Sequence, residues 1–180
     1  ASVVAIEKAR EAFAANSAVK LVCATVSSAN VNELLSKHGF TGEVDALSID
    51  IDSYDYWVLE AIDVCRPRVL VVEYNARFGP TRAVTIPNGC SLDSVPKGYY
   101  GASLAALDSV ARRKDYRLIC CEPSGANAFS IRNDLAVDLP AMSPEQAFRP
   151  QLSRVECGAQ RTDETIYQTI TEQGLQLVDV

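Results

Sequence analysis

The sequence predicts an α/β domain whose sheet is mainly parallel and ends in an antiparallel hairpin. Helix-like and strand-like segments alternate along most of the chain, which implies right-handed crossovers between parallel strands. The strand-like runs 117–122 and 128–132 break this order, because only a turn at Pro123, Ser124 and Gly125 separates them. Strands joined by so short a turn must run antiparallel.

The first elements are predicted from apolar spacing and capping residues. A helix over 2–16 opens the chain, and the apolar run 19–26 follows as a strand. Asn30 then caps a second helix, with Glu33 three residues later to complete a capping box. Gly39 is placed to end that helix in a left-handed conformation.

The centre of the chain predicts two neighbouring strands joined by a short helix, and then a long loop. The strands cover 46–51 and 69–74, and the helix covers 55–63. Both strands carry apolar residues on both faces, so we expect them to be adjacent, parallel and central. Residues 76–100 are rich in Gly and Pro and show no period, which is typical of a functional or binding loop.

The last third of the chain predicts two helices around the hairpin. Ser103 caps the first of them, ahead of the hairpin. Residues 134–160 carry three prolines and are predicted to be irregular. A final helix over 163–173 ends at Gly174, and the tail 175–180 resembles a strand.

The composition is that of a globular protein. Hydrophobic residues make up 48% and charged residues 22% of the 180 residues, enough for a core. We expect a partial α/β domain over 1–150 and a C-terminal extension over 151–180. The net charge of −6 disfavours nucleic-acid binding. Because no apolar run reaches membrane length and no secretory signal is visible, we expect an intracellular protein in a reducing compartment.

The cysteines match no zinc-binding spacing. Cys120 and Cys121 are neighbours in a predicted strand, so they point to opposite faces and cannot enter one site. We interpret all of the cysteines as buried apolar thiols, since such residues are common in protein interiors. They are Cys23, Cys65, Cys90, Cys120, Cys121 and Cys157.

Polar residues follow each of the first three predicted strands, at the edge where open parallel sheets bind ligands. In chain order they are Ser27, Ser28, Asp50, Asp52, Glu73 and Asn75. Three carboxylates at adjacent strand ends suit a metal site, acid–base catalysis or hydrogen bonding to a ligand. Capping of the next helix is the alternative for Asp52 and, more strongly, for Asp55. Asp50 has apolar neighbours, where an unpaired polar group costs about 2–7 kcal/mol, so we expect it to have a partner.

Several runs in this chain resemble the FkbM-type methyltransferases, which are class I S-adenosylmethionine-dependent enzymes. Residues 47–57, LSIDIDSYDYW, are similar to the family element LSIDIDGNDYW, and residues 68–75, RVLVVEYN, to the strand that follows it. The shorter runs at 76–80, 83–87, 99–107 and 125–129 continue the resemblance in the same order. Together these runs lie within residues 19–150.

The resemblance implies a Rossmann-like methyltransferase sheet that lacks its first two strands, with the hairpin as its reversed strand. It implies an S-adenosylmethionine site at the carboxyl ends of the strands and no metal. Cofactor contacts would come from Ser27, Ser28 and Asp50. Catalytic roles on the donor and acceptor side would fall to Asp50, Asp52, Glu73 and Asn75.

The sequence departs from the family at the cofactor loop. The family's glycine-rich turn lets the backbone approach the cofactor closely, yet no Gly-x-Gly occurs in this sequence. We therefore expect that this chain alone does not bind S-adenosylmethionine with useful affinity. Ser53 and Asp115 stand where the family has Gly, and Asn88 where it has Tyr.

Two functions from different classes follow from these observations. The chain is a methyltransferase-like enzyme domain, truncated or degenerate at the cofactor loop, or it is a non-catalytic structural or assembly subunit of a larger complex. In the family's strand order, 19–26 and 46–51 are separated by the two missing strands. Either these segments pair directly, or other residues fill the gap, or an apolar edge stays open. We expect Ile6, Phe13 and the loop 76–100 to contact other protein chains.

Overall fold

The computed structural model describes residues 3–96, 98–152 and 163–180, which form a sheet with helices packed against it. A 3₁₀ turn, Ala76–Phe78, lies in the long loop. The helices are α1 (Val3–Ala12), α2 (Val31–Lys37), α3 (Asp55–Ala61), α4 (Leu104–Arg113), α5 (Pro144–Ala147) and α6 (Asp163–Glu172). The strands are β1 (Gly42–Ile49), β2 (Cys65–Glu73), β3 (Val84–Thr85), β4 (Tyr116–Cys121), β5 (Asn127–Arg132) and β6 (Val178–Asp179).

The main sheet has four strands in the order β1-β2-β5-β4. β1 and β2 are parallel, with Leu47 opposite Leu70 and Ile49 opposite Val72. β5 runs antiparallel to both β2 and β4, so it is the single reversed strand of a mixed sheet. The adjacent parallel pair and the terminal hairpin are confirmed. The expected central position holds for β2 but is wrong for β1, which lies at the edge of the sheet.

The predicted strand over 19–26 is wrong. These residues follow α1 without regular secondary structure and pair with no described strand. Most of their side chains are exposed, and Val22 is 46% exposed. A strand is stabilised by a neighbouring ladder, and the apolar, β-branched composition of this run has no such neighbour to pair with. The sequence left three possibilities for the side of the sheet next to β1: direct pairing with 19–26, a gap filled by other residues, or an open edge. The described residues show the open edge.

The helix ends follow the predictions only in part. α2 ends as expected, because Gly39 has φ 84° and Phe40 donates its backbone N–H to the carbonyl of Leu35. The predicted capping box is wrong, since the Asn30 side chain makes no capping hydrogen bond and contacts Thr25 and Ser27 instead. No helix among the described residues combines the length and apolarity needed to cross a membrane.

The main core lies between the sheet and helices α3 and α4. Ser103 caps α4 as predicted, because its hydroxyl accepts the backbone N–H of Ala106. The buried members from the two helices and the sheet pack as one cluster, which removes apolar surface from water. They include Val58, Leu59, Leu70, Val72, Leu107, Val110 and Leu118.

A second, smaller core joins the long loop to the C-terminal segment. β3 pairs antiparallel with β6, so the predicted final helix and strand-like tail are confirmed as α6 and β6. Its buried apolar side chains are Phe78, Val84, Ile86, Tyr99, Ile166 and Ile170. The loop therefore buries Phe78, Val84, Ile86 and Tyr99 within this chain, and its contact with other chains stays a prediction. The proposed boundary between 1–150 and 151–180 stays a prediction.

The region after the hairpin contains one element that the sequence did not predict. α5 begins with a capping box in which Ser143 accepts the backbone N–H of Gln146, while the Gln146 side chain accepts that of Ser143. The remainder of the predicted irregular stretch is irregular as far as 151, and 153–160 lie outside the described residues.

The described cysteines are buried, half-buried or exposed, and Cys90 is the half-buried one. Cys65 and Cys121 are buried as expected, and burial raises the pKa of the Cys121 thiol to about 11, which keeps it protonated. Cys23 and Cys120 are exposed, so the expectation of burial is wrong for both. The β4–β5 pairing shifts register between Leu118 and Cys120, which disturbs the alternation there. Cys157 lies outside the described residues.

Candidate functional site

Three carboxylates meet at the carboxyl edge of the two parallel strands. Asp50 and Asp52 directly follow β1, and Glu73 is the last residue of β2. One carboxylate oxygen from each residue lies within 4.8 Å of the others. Asp50 and Asp52 are exposed, whereas Glu73 is buried. The structure thus brings together the three acidic residues that the sequence predicted, at one solvent-accessible point that we call the acidic edge.

The loop that presents the acidic edge is held by Asp55. Its Oδ1 accepts the backbone N–H of Ile51 at 2.9 Å, and its Oδ2 accepts that of Ser53 at 3.1 Å. Asp55 is fully buried, and burial raises the pKa of its carboxyl despite these hydrogen bonds. The loop it closes holds Asp52 at φ 56°, a left-handed conformation that Asp tolerates better than most residues.

Two sequence interpretations of these aspartates need correction. β1 ends at Ile49, so Asp50 lies beyond the strand and is exposed rather than buried among apolar neighbours. The argument from a costly buried charge therefore does not apply to it. Asp55 was expected to cap a helix, but it is the first residue of α3, and Tyr54 occupies the capping position without a side-chain hydrogen bond.

Asn75 orders the long loop from the end of β2. Its Nδ2 donates to the carbonyls of Gly98 and Tyr100 at 2.8 and 2.9 Å, and its Oδ1 accepts the N–H of Arg77 at 3.1 Å. The side chain is fully buried. Both amide hydrogens are therefore engaged within the chain, so the structure gives Asn75 a positioning role. Direct contact of Asn75 with a ligand stays a prediction.

The two predicted serines contact the loops around the edge rather than the carboxylates. The backbone N–H of Ser27 donates to Asn30 Oδ1 at 2.8 Å, which closes the turn before α2. The hydroxyl of Ser28 accepts from Asn88 Nδ2 at 3.2 Å, so it links this turn to the long loop. Both serines are half-buried, and their cofactor role stays a prediction.

Sequence reasoning missed two residues that shape the site. Trp57 Nε1 donates to the carbonyl of Ile86 at 2.8 Å, which fastens the long loop to α3. Asn127 lies directly opposite Glu73 on β5, and its buried Oδ1 accepts no hydrogen bond from the described residues. The register between β2 and β5 places Asn127 beside the end of β2, and a prediction of that register from the hairpin would have found it.

Electrostatics decide what the acidic edge can do. Three negative charges this close favour a positively charged partner, because like charges repel and an opposite charge relieves the repulsion. Carboxylate oxygens are ligands that hard divalent cations accept. The same oxygens can face the positive sulfonium of S-adenosylmethionine or take a proton from a hydroxyl group. The acidic edge can therefore bind a cation or act as a base.

Searches with this chain against family models, curated proteins and solved structures find no match. The functional argument accordingly depends on the geometry of the acidic edge and on the motifs around it.

Proposed function

We propose that this chain is the C-terminal part of a Rossmann-like, S-adenosylmethionine-dependent methyltransferase of the FkbM type. The main observation that supports this proposal is the acidic edge, where Asp50, Asp52 and Glu73 meet at the carboxyl ends of two adjacent parallel strands. Ligands of open parallel sheets bind at this edge. The acidic edge is the surface on which the methyl donor and the acceptor meet.

The chemistry of methyl transfer suits a cluster of carboxylates. S-adenosylmethionine, held at the acidic edge by Ser27, Ser28 and Asp50, would supply a methyl group whose S–C bond would break as the bond to an acceptor hydroxyl oxygen forms. The hydroxyl proton passes to a carboxylate, which we assign to the Asp50 and Asp52 pair. Their negative charge attracts the sulfonium and receives the proton. Glu73, buried at the end of β2, would line the substrate side.

Two features of the backbone support the resemblance. One reversed strand, β5, lies between strands that run the other way, as the resemblance implies for the hairpin. Asp115, which stands where the family has Gly, has φ 72°. Glycine adopts that conformation without strain, so the backbone there keeps the shape for which glycine is suited. Ser53 also stands where the family has Gly, but the left-handed conformation in this loop falls on Asp52, so position 53 does not need a glycine.

The test is a titration of this chain with S-adenosylmethionine, monitored by nuclear magnetic resonance of the backbone amides. Because the sequence has no Gly-x-Gly turn, we expect a Kd in the millimolar range. The affected amides should cluster at 27–30, 50–53 and 73–75. S-adenosylhomocysteine, which lacks the positive charge, should bind more weakly.

Variants of the aspartates make this test specific. The double substitution Asp50→Asn with Asp52→Asn should abolish the preference for the charged donor, whereas Asp138→Asn, on an exposed loop, should leave it unchanged. No shifts at about 10 mM donor, or shifts confined to other regions, would contradict the methyltransferase proposal. Binding tighter than about −8 kcal/mol would contradict the claim that the glycine turn is needed.

A non-catalytic assembly role is the second candidate. It is favoured by the uncovered side of the sheet at the edge strand β1, which we call the open flank. β1 is an edge strand of which only Ile49 is buried, and Phe13 is exposed while Ile6 is half-buried. Exposed apolar surface of this kind marks contact sites for other proteins. If the donor titration shows no response, this role replaces the enzymatic one.

A further inference from the structure

An exposed turn in the long loop, just after β3, carries the only Asn-Gly pair in the sequence, Asn88 and Gly89. The backbone N–H of Cys90 donates to the carbonyl of Pro87 at 3.3 Å, which closes the turn around this pair. Gly89 has φ 71°, a conformation that glycine adopts without strain. The turn therefore places a residue without a side chain directly after an exposed asparagine.

The backbone nitrogen of Gly89 is accessible. Its N–H donates to no described residue. Apart from its chain neighbours, no heavy atom lies within 4 Å of the position where a Cβ of Gly89 would stand. Neither a hydrogen bond nor a packed neighbour in the described part of the chain therefore restrains this nitrogen.

The side-chain amide of Asn88 is held weakly. Among the described residues it contacts only Ser28, and its Nδ2 donates to the Ser28 hydroxyl at 3.2 Å. The amide of Asn75, by contrast, makes three hydrogen bonds and is fully buried. Because an exposed hydrogen bond competes with water, the amide of Asn88 is free to turn toward the nitrogen of Gly89.

We propose that Asn88 is a site of spontaneous deamidation through a cyclic imide formed with Gly89. The nitrogen of Gly89 attacks the side-chain carbonyl carbon of Asn88, and a succinimide ring closes as the bond from that carbon to Nδ2 breaks. Nδ2 leaves as ammonia with the proton that the Gly89 nitrogen loses. Water then adds to either ring carbonyl and opens the ring, which gives aspartate or isoaspartate at this position.

The modified turn differs from the original in charge and in contacts. Each conversion makes the net charge of −6 one unit more negative and removes the Nδ2 donor that bonds Ser28. Isoaspartate also adds one carbon to the main chain of the turn. Deamidation therefore weakens the link between the turn before α2 and the long loop. The inference does not depend on the methyltransferase proposal, since neither the acidic edge nor the methyl donor takes part.

The experiment incubates the purified chain at neutral pH and body temperature with a thiol reductant, which keeps the cysteines reduced. Digestion at mildly acidic pH and mass spectrometry then follow the mass gained when an NH group is exchanged for oxygen. A synthetic peptide of residues 84–92, incubated in parallel, gives the rate without the fold. We expect conversion at Asn88 within about tenfold of the peptide's rate, with isoaspartate among the products. Asn16, which is exposed but precedes Ser17, should convert at least tenfold more slowly than Asn88.

Variants identify the cyclic route. Asn88→Gln keeps an amide before the same glycine but requires a larger ring, so conversion at this position should slow at least tenfold. Gly89→Ala places a methyl group beside the attacking nitrogen and should slow conversion to a similar degree. The matched control is Gly174→Ala, because Gly174 also has a positive φ, 64°, and open space around it, yet lies outside the turn. It should leave the rate at Asn88 unchanged, and circular dichroism checks that both alanine variants fold.

The proposal fails if the folded chain converts more than about tenfold slower than the peptide, since the fold would then protect the pair. Equal rates at Asn16 and Asn88, or an unchanged rate in Asn88→Gln, would contradict it as well. Equal slowing by Gly89→Ala and Gly174→Ala would show that general strain, and not the attacking nitrogen, sets the rate. Formation of aspartate without isoaspartate would mean that water hydrolyses the amide directly.

Discussion

The two flanks of β2 differ in how they are covered, although both are built from hydrogen-bonded ladders. On one side, β5 and β4 alternate between buried and partly exposed residues, and α4 packs against them. On the other side, β1 pairs with β2 over its whole length, yet only one of its eight residues, Ile49, is buried. Pairing alone therefore does not make a core. Stability on the flank formed by β5 and β4 comes from the helix and side chains that cover the sheet, which the flank formed by β1 largely lacks.

The sharpest test of this difference is the same substitution on each flank. Leu118→Ala removes a side chain that is 1% exposed on β4, so it should lower the free energy of unfolding by about 2–5 kcal/mol. Leu47→Ala on β1 removes a half-buried side chain and should cost less than about 1.5 kcal/mol. Urea denaturation measures both. Equal losses would mean that the flanks are equally well packed.

A second comparison concerns the loops at the carboxyl edge. Asn75→Ala removes three buried hydrogen bonds that tie the long loop to β2, with an expected cost of about 1–3 kcal/mol. Hydrogen exchange at 98–101 should become faster. Ser28→Ala, which breaks one exposed hydrogen bond to Asn88 near the open flank, should cost less than about 0.5 kcal/mol. A larger effect from Ser28 than from Asn75 would contradict this view of the loop.

The smallest effect depends on pH and compares one carboxylate on each flank. Burial raises the folded-state pKa of Asp108 above the usual range of an aspartate, although Arg112 donates to it at 2.7 Å. When folding raises the pKa of a carboxyl group, that group's contribution to stability is complete below its pKa in the unfolded state. The contribution is lost as the pH rises through its pKa in the folded state. Asp108→Asn should therefore gain stability relative to the wild type as the pH rises from 3 to 7.

Asp45→Asn is the matched control for the pH experiment. Asp45 lies on β1, and its side chain is 94% exposed, so its contact with Arg68 is screened by solvent. Its substitution should therefore change the free energy of unfolding only slightly. Denaturation curves at several pH values measure both variants. A constant difference for Asp108→Asn would show that its burial has no effect on its protonation.

Local sequence patterns predicted the side of the sheet formed by β5 and β4 better than the side formed by β1. The hairpin, the cap at Ser103 and the pairing of the two parallel strands are determined by nearby residues, which the sequence displays directly. The run 19–26 has the composition of a strand, but a strand also needs a partner edge, and composition does not reveal whether one is present. Asn30 has the spacing of a capping box, yet its side chain closes the preceding turn, which competes for the same groups.

The acidic residues of the site were predictable, but their surroundings were not. Asp50, Asp52 and Glu73 follow adjacent parallel strands, and parallel strands bring their carboxyl ends together. The exposure of Asp50 depends on where β1 ends, and strand ends are poorly marked in sequence. The positioning roles of Asp55 and Asn75 depend on backbone groups in loops, whose conformation is set only after the sheet has formed.

The pairing of β3 with β6 has a consequence for the order in which the protein is made. Arg82 donates to Asp179, a residue 97 positions later in the chain, and Val180 donates its backbone N–H to Ala83. At roughly 5–20 residues per second, a ribosome needs roughly 5–20 seconds to add that later stretch. During this interval the long loop has emerged but lacks its partner strand. β5, the last strand of the main sheet, is complete 47 residues before Asp179 is added, so the sheet and the acidic edge can form before the loop gains its partner strand.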